Sequence, residues 1–152
     1  AALNFSYMVF PERVALREYF RTSRAALAPR GIFILDIFGG WEAQALTTET
    51  RRKPGFTYAW EQAGFDPITS LTRFHIHFRF RDGSEMKHAF TYDWRLWTIP
   101  EVRELLSEAG FKRTVVYWEG TNLKTRGGSG IFRRTSRARS CPGWIAYIVA
   151  GA

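Results

Sequence analysis

The clearest buried strand in the sequence is a continuous apolar run, residues 32–35 (Ile-Phe-Ile-Leu). β-Branched and aromatic residues without polar alternation predict a strand covered on both faces, as in a parallel sheet. Helix-stopping residues, Pro29 and Gly31, precede the run, and Asp36 and the Gly39-Gly40 pair follow it. Since ligands of open α/β sheets bind beyond the carboxyl ends of strands, a site is predicted here, with a plain buried strand and turn as the alternative.

A helix is predicted between this strand and an earlier one. Residues 1–10 are interpreted as the end of a strand that runs into a loop. After Pro11, which suits a first helical turn, apolar residues recur at helical spacing and predict one buried stripe: Leu16, Tyr19, Phe20, Ser23 and Leu27. Strand, helix and strand in this order form a βαβ unit, which requires a parallel strand pair and a right-handed crossover.

The middle of the chain contains a strong hairpin signal. Residues 41–54 are polar, and we expect a helix over 42–46 followed by a loop, whereas residues 56–62 alternate as a strand does. Residues 73–81 and 85–94 alternate between apolar and polar positions on either side of an Asp-Gly turn signal. A three-residue loop pairs Phe78 with Met86 and Arg79 with Glu85, and this register brings the apolar residues onto one face.

The last third of the chain is predicted to form one helix and two strands. Thr98 and Glu101 have the spacing of a capping box, and Gly110 suits the left-handed position after the helix. The buried stripe of this helix is expected to consist of Val102, Leu105, Leu106 and Ala109. Residues 112–119 and 144–150 are predicted strands, and residues 120–142, rich in Gly and Arg, are interpreted as a loop.

Length and charge narrow the class of protein. A chain of 152 residues forms one domain or part of one, and a hydrophobic fraction of 45% is typical of globular proteins. The net charge of +8 is compatible with a nucleic-acid partner, but the cluster Arg133, Arg134, Arg137 and Arg139 is interpreted as a solvated loop. The lone Cys141 excludes an internal disulfide and predicts a reducing, cytoplasmic compartment. No run approaches the ~20 apolar residues of a membrane span, and no signal peptide is recognisable.

Four parts of the sequence carry a resemblance to a known family: residues 3–7, 27–36 and 105–111, and the two final strands. Together they resemble the carboxyl-terminal half of a class I, Rossmann-like S-adenosylmethionine-dependent methyltransferase. Residues 3–7 (Leu-Asn-Phe-Ser-Tyr) resemble the fourth strand and its catalytic loop, and residues 27–36 resemble a helix end and the fifth strand. Residues 105–111, which end in Ala-Gly-Phe, resemble the last helix, and the two final strands resemble the antiparallel pair that closes the sheet. The hairpin lies where such enzymes often carry an insertion that covers the substrate.

The resemblance implies an α/β fold: a partial doubly wound sheet over residues 1–152, with an inserted antiparallel hairpin region at about 56–97. The Gly-rich loop after the first strand and the acidic residue that binds ribose have no match, and residues 127–130 (Gly-Gly-Ser-Gly) are interpreted as a flexible loop rather than a phosphate cradle. The chain is therefore interpreted as a fragment of a protein that transfers a methyl group to a small molecule. Alone, it is expected to be inactive and to bind the cofactor weakly or not at all.

The resemblance also implies site residues. Asn4 and Phe5 are expected to contact the cofactor, S-adenosylmethionine. Methyl transfer needs in-line positioning in a dry pocket more than acid–base chemistry, and aromatic walls suit a sulfonium cation. The residues expected to bind the substrate are Tyr7, Asp36, Phe38, Tyr58, Trp60, His88, Tyr92 and Trp97. No catalytic residue is assigned, and an ordinary strand end or core position is the alternative for these residues.

The histidines allow two further interpretations. His75 and His77 have a spacing that can bind zinc, but arginines share their strand face, so a solvated face is favoured and no metal site is predicted. The predicted register places His88 on the apolar face, as a hydrogen-bonded core residue or, alternatively, as a general base.

A function from a different class is a basic aromatic module that binds single-stranded nucleic acid without catalysis. The hairpin's aromatic residues segregate from its charges, so the methyltransferase is preferred and nucleic acid is not an expected partner. The expected partners are a small-molecule substrate and, through an unprotected strand edge at residues 2–7, a second copy of the chain. No membrane contact is expected.

Overall fold

The structure is a computed structural model that describes residues 1–125 and 127–152. The chain divides into two compact units, which are described separately: unit 1, Ala1–Ala43 with Trp97–Ala152, and unit 2, Gln44–Leu96. The described residues contain no helix whose length and apolar character would let it span a membrane.

Two helices and eight strands are present in the described part of the chain. In chain order they are α1 (Arg13–Ala25), β1 (Ile32–Gly39), β2 (Thr47–Lys53), β3 (Phe56–Phe65), β4 (Leu71–Phe80), β5 (Glu85–Arg95), α2 (Ile99–Glu108), β6 (Arg113–Thr121), β7 (Gly128–Thr135) and β8 (Trp144–Gly151). Short 3₁₀ helices occupy Ser6–Val9 and Trp41–Gln44.

The sheet of unit 1 has the strand order β1-β8-β6-β7, and its paired strands run antiparallel. One parallel contact joins it to the start of the chain, where Ala2 bridges to Leu35 and the Ala2 N–H donates to the Ile34 carbonyl at 2.8 Å. The order of the predicted βαβ unit is present, since α1 lies between these two segments, but the first segment contributes one bridged residue and not a strand. The α/β fold class is confirmed, but its parallel pairing is limited to this bridge and does not extend over residues 1–10.

The helix of unit 1 that carries the clearest sequence signals, α2, forms as predicted. The Thr98 side chain accepts from the Glu101 N–H, and the Glu101 carboxylate accepts from the Thr98 N–H at 2.8 Å, which completes the capping box. At the other end Gly110 adopts a φ of 97°, and the N–H of Phe111 donates to the carbonyl of Leu106 at 3.0 Å. This left-handed ending satisfies carbonyls that the helix itself leaves free.

The core of unit 1 is apolar and closed to solvent. Both helices contribute fully buried side chains, as do the central strands; these include Leu16, Phe20, Leu35, Ile37, Leu105, Leu106 and Ile148. Phe33 links the two sources of the core, because its ring packs against Phe20 from α1 at 6.0 Å and against Phe111 after α2 at 5.9 Å. Burial of apolar surface of this extent is the main stabilising contribution to such a unit.

Unit 2 is a single antiparallel sheet in the order β2-β3-β4-β5. The predicted hairpin register is confirmed at its turn, since Phe78 pairs with Met86 and Arg79 with Glu85. The register changes further along, where Ile76 pairs with Phe90. Over this interval β4 advances from residue 76 to 78 and β5 from 86 to 90, so β5 carries a bulge of two extra residues.

Four predictions of local structure are wrong. Residues 47–53 form the fully exposed strand β2 instead of a loop, and the predicted helix at 42–46 is the 3₁₀ turn Trp41–Gln44. Residues 128–135, inside the predicted loop, form β7; Arg126 of that loop lies outside the described residues. Both missed strands are edge strands whose polar composition protects the sheet from pairing with other chains, and this composition hides the strand period. The fourth error is at Ser6–Val9, which form a 3₁₀ helix where the end of a strand that runs into a loop was expected.

Candidate functional site

The most constrained polar position in unit 1 is Asp36, which is buried at 8% exposure. Its two carboxylate oxygens accept hydrogen bonds from the backbone N–H groups of Asn4 and Phe5, each at 2.9 Å. Burial raises the pKa of the carboxyl group above its ordinary value, and these backbone N–H donors oppose the shift only in part. The prediction that Asp36 ends its strand is wrong, because β1 continues to Gly39 and Asp36 pairs with Tyr147 of β8.

The two backbone donors are themselves in an unusual conformation. Asn4 and Phe5 both have left-handed backbones, with φ of 58° and 56°. Side-chain-bearing residues adopt this region at a cost, so the bonds to Asp36 hold a strained turn in place. The turn leaves the Asn4 side chain exposed and sets the Phe5 ring edge-on against Phe38, with ring centroids 4.7 Å apart. Four residues predicted for the site, Asn4, Phe5, Asp36 and Phe38, are thus brought together.

Tyr7 follows this turn and is almost completely buried, at 1% exposure. Its ring packs near Phe20, with ring centroids 6.0 Å apart, and its hydroxyl finds no hydrogen-bond partner within residues 1–125 and 127–152. Burial, together with the charge of Asp36, raises the pKa of this phenol well above its ordinary value, so the group stays protonated. An unsatisfied buried hydroxyl costs about 1–3 kcal/mol, which makes it a point where a water or ligand atom is expected.

The Gly39-Gly40 pair has a packing role. A Cβ atom on Gly39 would lie 2.4 Å from the indole of Trp144, and one on Gly40 would lie 2.1 Å from the carbonyl oxygen of Pro142. Gly40 also has a φ of 109°, which side chains rarely tolerate. The structure therefore accounts for both glycines by close approach of the chain's own residues, which is the alternative that the sequence left open.

The predicted aromatic residues divide between the two units. In unit 2, Tyr58, Trp60 and Tyr92 lie on the apolar face of the sheet, where Trp60 packs against Tyr92 at 6.0 Å between ring centroids. Phe74 and Trp94 complete this aromatic cluster, at 4.8 and 6.0 Å from Trp60. Burial also raises the pKa of the Tyr58 phenol, which therefore stays neutral on this face.

Trp97 belongs to unit 1 and is described with it. Its side chain is buried at 3% exposure, and its indole N–H donates to the carbonyl of Phe10 at 3.2 Å. A buried indole whose N–H is satisfied by the backbone is typical of a core residue. This contact supports the core alternative for Trp97.

The placement of His88 on the apolar face is wrong. The bulge in β5 turns this residue over, with a left-handed φ of 50°, and its ring stacks on His75 at 4.0 Å between centroids. His77 lies 5.1 Å from the same ring, and the Glu61 carboxylate is 2.8 Å from Nε2 of His77. All three histidines of the chain therefore meet on the polar face of unit 2. Sequence analysis did not select Glu61. The signal that could have found it is the alternation of β3, which places Glu61 on the polar face, opposite His75.

Unit 1 contains a basic cleft. Its volume is about 450 Å³, and it lies along β6 and β7, lined by residues that include Trp118, Arg133, Arg134 and Arg137. The Trp118 indole packs on Trp144 at 4.8 Å between ring centroids. Part of the predicted arginine loop is therefore strand, and two of its arginines are held at a sheet edge.

Comparison with solved structures identifies the fold. A S-adenosylmethionine-dependent methyltransferase from Clostridium acetobutylicum is 17% identical, with a TM-score of 0.60 over 97% of this chain and 55% of its own. The CcbJ methyltransferase from Streptomyces caelestis is 15% identical, with a TM-score of 0.65 over 98% of this chain and 58% of its own. An amino pentose methyltransferase from Micromonospora echinaspora, solved with S-adenosylmethionine bound, is 16% identical, with a TM-score of 0.56 over 97% and 54%.

These matches show that the chain has the fold of part of such enzymes, in agreement with the predicted partial Rossmann-like description. The chain spans little more than half the length of each of these structures. No protein-family model and no curated protein matches the sequence.

Proposed function

We propose that this chain is the substrate-side half of an S-adenosylmethionine-dependent methyltransferase that acts on a small molecule. The fold of the solved methyltransferases supports the reaction class. The observation that carries the proposal is the strained turn at Asn4 and Phe5, which two hydrogen bonds fix to the buried Asp36. The turn leads directly to the buried Tyr7 hydroxyl, which has no hydrogen-bond partner among the residues that the structure describes. Strain and unsatisfied polar groups that a protein retains together are typical of a ligand site.

The residues of this turn fit one part of the cofactor. S-Adenosylmethionine supplies an electrophilic methyl group on a sulfonium cation. The exposed Asn4 amide offers both a donor and an acceptor to a polar part of the cofactor, and the Phe5 ring offers an aromatic surface that suits a cation. The backbone N–H groups of both residues are already bonded to Asp36, so we assign the contact with the cofactor to the side chains.

Asp36 acts in this proposal as a positioning residue. It holds the turn through backbone bonds, and its carboxyl group has no direct role in transfer. Positioning of this kind is the main requirement of methyl transfer, since the acceptor and the methyl group must be aligned and water must be excluded. We keep the chemistry of the acceptor open beyond its small size.

The proposal includes a longer parent protein in the cytoplasm. Its other half would carry the Gly-rich loop that this sequence lacks, so this chain should bind the cofactor weakly or not at all. Ala2, which bridges to Leu35 in parallel, is the point from which the sheet would continue into that half or into a second copy of the chain.

Calorimetry with S-adenosylmethionine tests the proposal on two proteins: this chain, and this chain extended at its amino end by about 100 residues, the size of a missing half-domain. Binding by the extended protein alone is expected. Asn4→Ala in the extended protein should weaken binding about tenfold, the loss of one hydrogen bond to a charged ligand. Ser107→Ala, an exposed position on α2, is the matched control and should bind normally. Absence of binding to the extended protein would overturn the methyltransferase proposal.

The basic cleft beside Trp118 favours a second candidate function, the binding of single-stranded nucleic acid. Arg133, Arg134 and Arg137 line it, and an indole next to arginines is the arrangement on which bases stack. Titration with a labelled oligonucleotide at several salt concentrations tests this function. Binding that falls steeply with salt and is lost in the double variant R133A/R134A would favour it, whereas weak binding that the variant leaves unchanged would exclude it.

A further inference from the structure

We propose that the polar face of unit 2 is a binding site for a transition-metal cation of the zinc class, with Glu61, His77 and His88 as ligands. Each side chain comes from a different neighbouring strand: β3, β4 and β5. One potential ligand atom from each lies within 4.8 Å of the other two. Imidazole nitrogen and carboxylate oxygen are the ligands that Zn²⁺ takes in proteins, and three protein ligands with an open position is a common form of such a site.

The backbone supports this assembly. His88 reaches the cluster because the two-residue bulge in β5 reverses its direction and holds it at a φ of 50°. A histidine in the left-handed region is strained, and bulges commonly redirect a side chain toward a functional site. In the predicted register without the bulge, this side chain would lie on the aromatic face and the three ligands could not meet.

The neighbouring charges permit a dication. The cleft around these side chains has a volume of about 290 Å³ and also contains Arg79, Glu85 and Lys87. Glu85 accepts from Arg79 at 2.9 Å and lies 3.8 Å from the Lys87 ammonium group, so one carboxylate engages both cations. With neutral histidines, the two glutamates balance the arginine and the lysine, and the cation meets no net positive charge.

The arrangement needs a small rearrangement to bind metal. In the structure the backbone N–H of His88 donates to Nδ1 of His77 at 3.1 Å. The proton of the neutral His77 ring is then on Nε2, which faces the Glu61 carboxylate at 2.8 Å. Coordination through Nε2 moves this proton to Nδ1, and the exposed His88 N–H then bonds to water. Ligand atoms around tetrahedral zinc lie about 3.4 Å apart, for bonds of about 2.0–2.1 Å, so the exposed His88 ring must move inward by roughly 1–1.5 Å.

His75 is placed to orient a ligand. Its ring stacks on His88, and its Nδ1 lies 2.9 Å from the hydroxyl of Thr91. The stacking contact with His75 supports one face of the His88 ring and requires no bond from His75 to the metal. Neighbours that orient metal ligands in this way commonly affect affinity by about 10–100-fold.

Isothermal titration of the untagged chain with ZnSO₄ tests the site, in a Cys141→Ser background that removes the one free thiol. One equivalent should bind with micromolar or tighter affinity. His88→Asn removes the imidazole but tolerates the left-handed backbone, so it should fold normally and bind at least about tenfold more weakly. Glu61→Gln should weaken binding similarly. Glu49→Gln, which removes an exposed carboxylate from β2 outside this cleft, is the matched control and should bind normally.

Imidazole ¹⁵N shifts provide a readout that does not depend on affinity. Zn²⁺ should shift Nε2 of His77 to the range of a metal-bound nitrogen and place its remaining proton on Nδ1. Absence of saturable binding would overturn the proposal. So would binding that His88→Asn and Glu61→Gln leave unchanged, since the cation would then lie elsewhere.

Discussion

Unit 1 and unit 2 solve the problem of burial differently. Unit 1 covers its sheet with its own helices, and its central side chains, among them Leu35 and Leu106, are fully buried. Unit 2 is one sheet of four strands, and large apolar side chains of β5 stay exposed, with Met86 at 51% and Phe90 at 54%. The stability of unit 1 is therefore expected to come from its closed core, whereas unit 2 depends more on backbone pairing and on aromatic contacts across strands.

This difference also separates two kinds of chemistry. In unit 1 the carboxylate that fixes the strained turn is buried: Asp36 accepts two hydrogen bonds from the backbone of that turn. Unit 2 sorts its side chains by face, with aromatic rings such as Trp60 on one side and the imidazoles of His77 and His88 on the other. A single sheet can present two unlike surfaces at once, while a closed core offers few exposed groups.

The largest expected effect is the contrast between two truncations of leucine. Leu106→Ala in unit 1 should lower the free energy of unfolding by about 2–5 kcal/mol, because it leaves a cavity at a fully buried position. Leu71→Ala in unit 2, where the side chain is 41% exposed, should cost less than about 1 kcal/mol. Urea denaturation followed by far-UV circular dichroism measures both. Equal losses would contradict the proposed difference between the units.

Two glycine substitutions sharpen the comparison. Both Gly40 in unit 1 and Gly55 in unit 2 have a positive φ, of 109° and 92°. Gly55→Ala meets no atom of the described residues within 4 Å, apart from its two chain neighbours, and should cost only the left-handed penalty, about 1–2 kcal/mol. Gly40→Ala adds a clash with the Pro142 carbonyl and should lose clearly more. Thermal melts of the two variants provide the test, and a smaller loss at Gly40 would show that the Pro142 segment moves away easily.

The smallest expected effect concerns the pKa values of Asp36 and Asp93, which the fold shifts in opposite directions. The raised pKa of Asp36 means that this group favours the folded state below its unfolded pKa, and that this contribution is lost as pH rises through its folded pKa. The lowered pKa of Asp93 in unit 2, caused first by its hydrogen bond with Arg73, has the opposite sign: its contribution is present above the unfolded pKa and is lost as pH falls through the folded pKa.

Carboxyl ¹³C titration by NMR should place the midpoint of Asp36 above that of Asp93. Arg73→Ala should raise the Asp93 midpoint and leave Asp36 unchanged. The same order of midpoints in unfolded protein would assign the difference to sequence neighbours rather than to the fold.

Local signals in the sequence were sufficient for much of unit 1. The capping box at Thr98 and the left-handed Gly110 predicted both ends of α2, because a helix end depends on residues within a few positions of it. The turn register of the hairpin, Phe78 with Met86, was predictable for the same reason. The bulge that redirects His88 was not, because it depends on how the hydrogen bonds of two whole strands are shared.

The contacts of the candidate site that join residues distant in sequence could not be predicted. Asn4, Phe5 and Asp36 were selected through a resemblance, but the bond of Asp36 to their backbone joins residues more than thirty positions apart. The two missed strands, β2 and β7, lie at sheet edges, where pairing with a neighbour determines structure and side chains can be fully polar.

Unit 2 is one uninterrupted segment, Gln44–Leu96, that leaves and re-enters the other unit of the chain. This connectivity has an evolutionary consequence. The segment can gain, lose or exchange residues by insertions and deletions in one stretch of the gene, without altering the chain order of β1, α2 and the final strands. The surfaces of unit 2 can therefore diversify among descendants of one ancestor while the rest of the fold is inherited unchanged. Differences in what related proteins recognise are expected first in this segment.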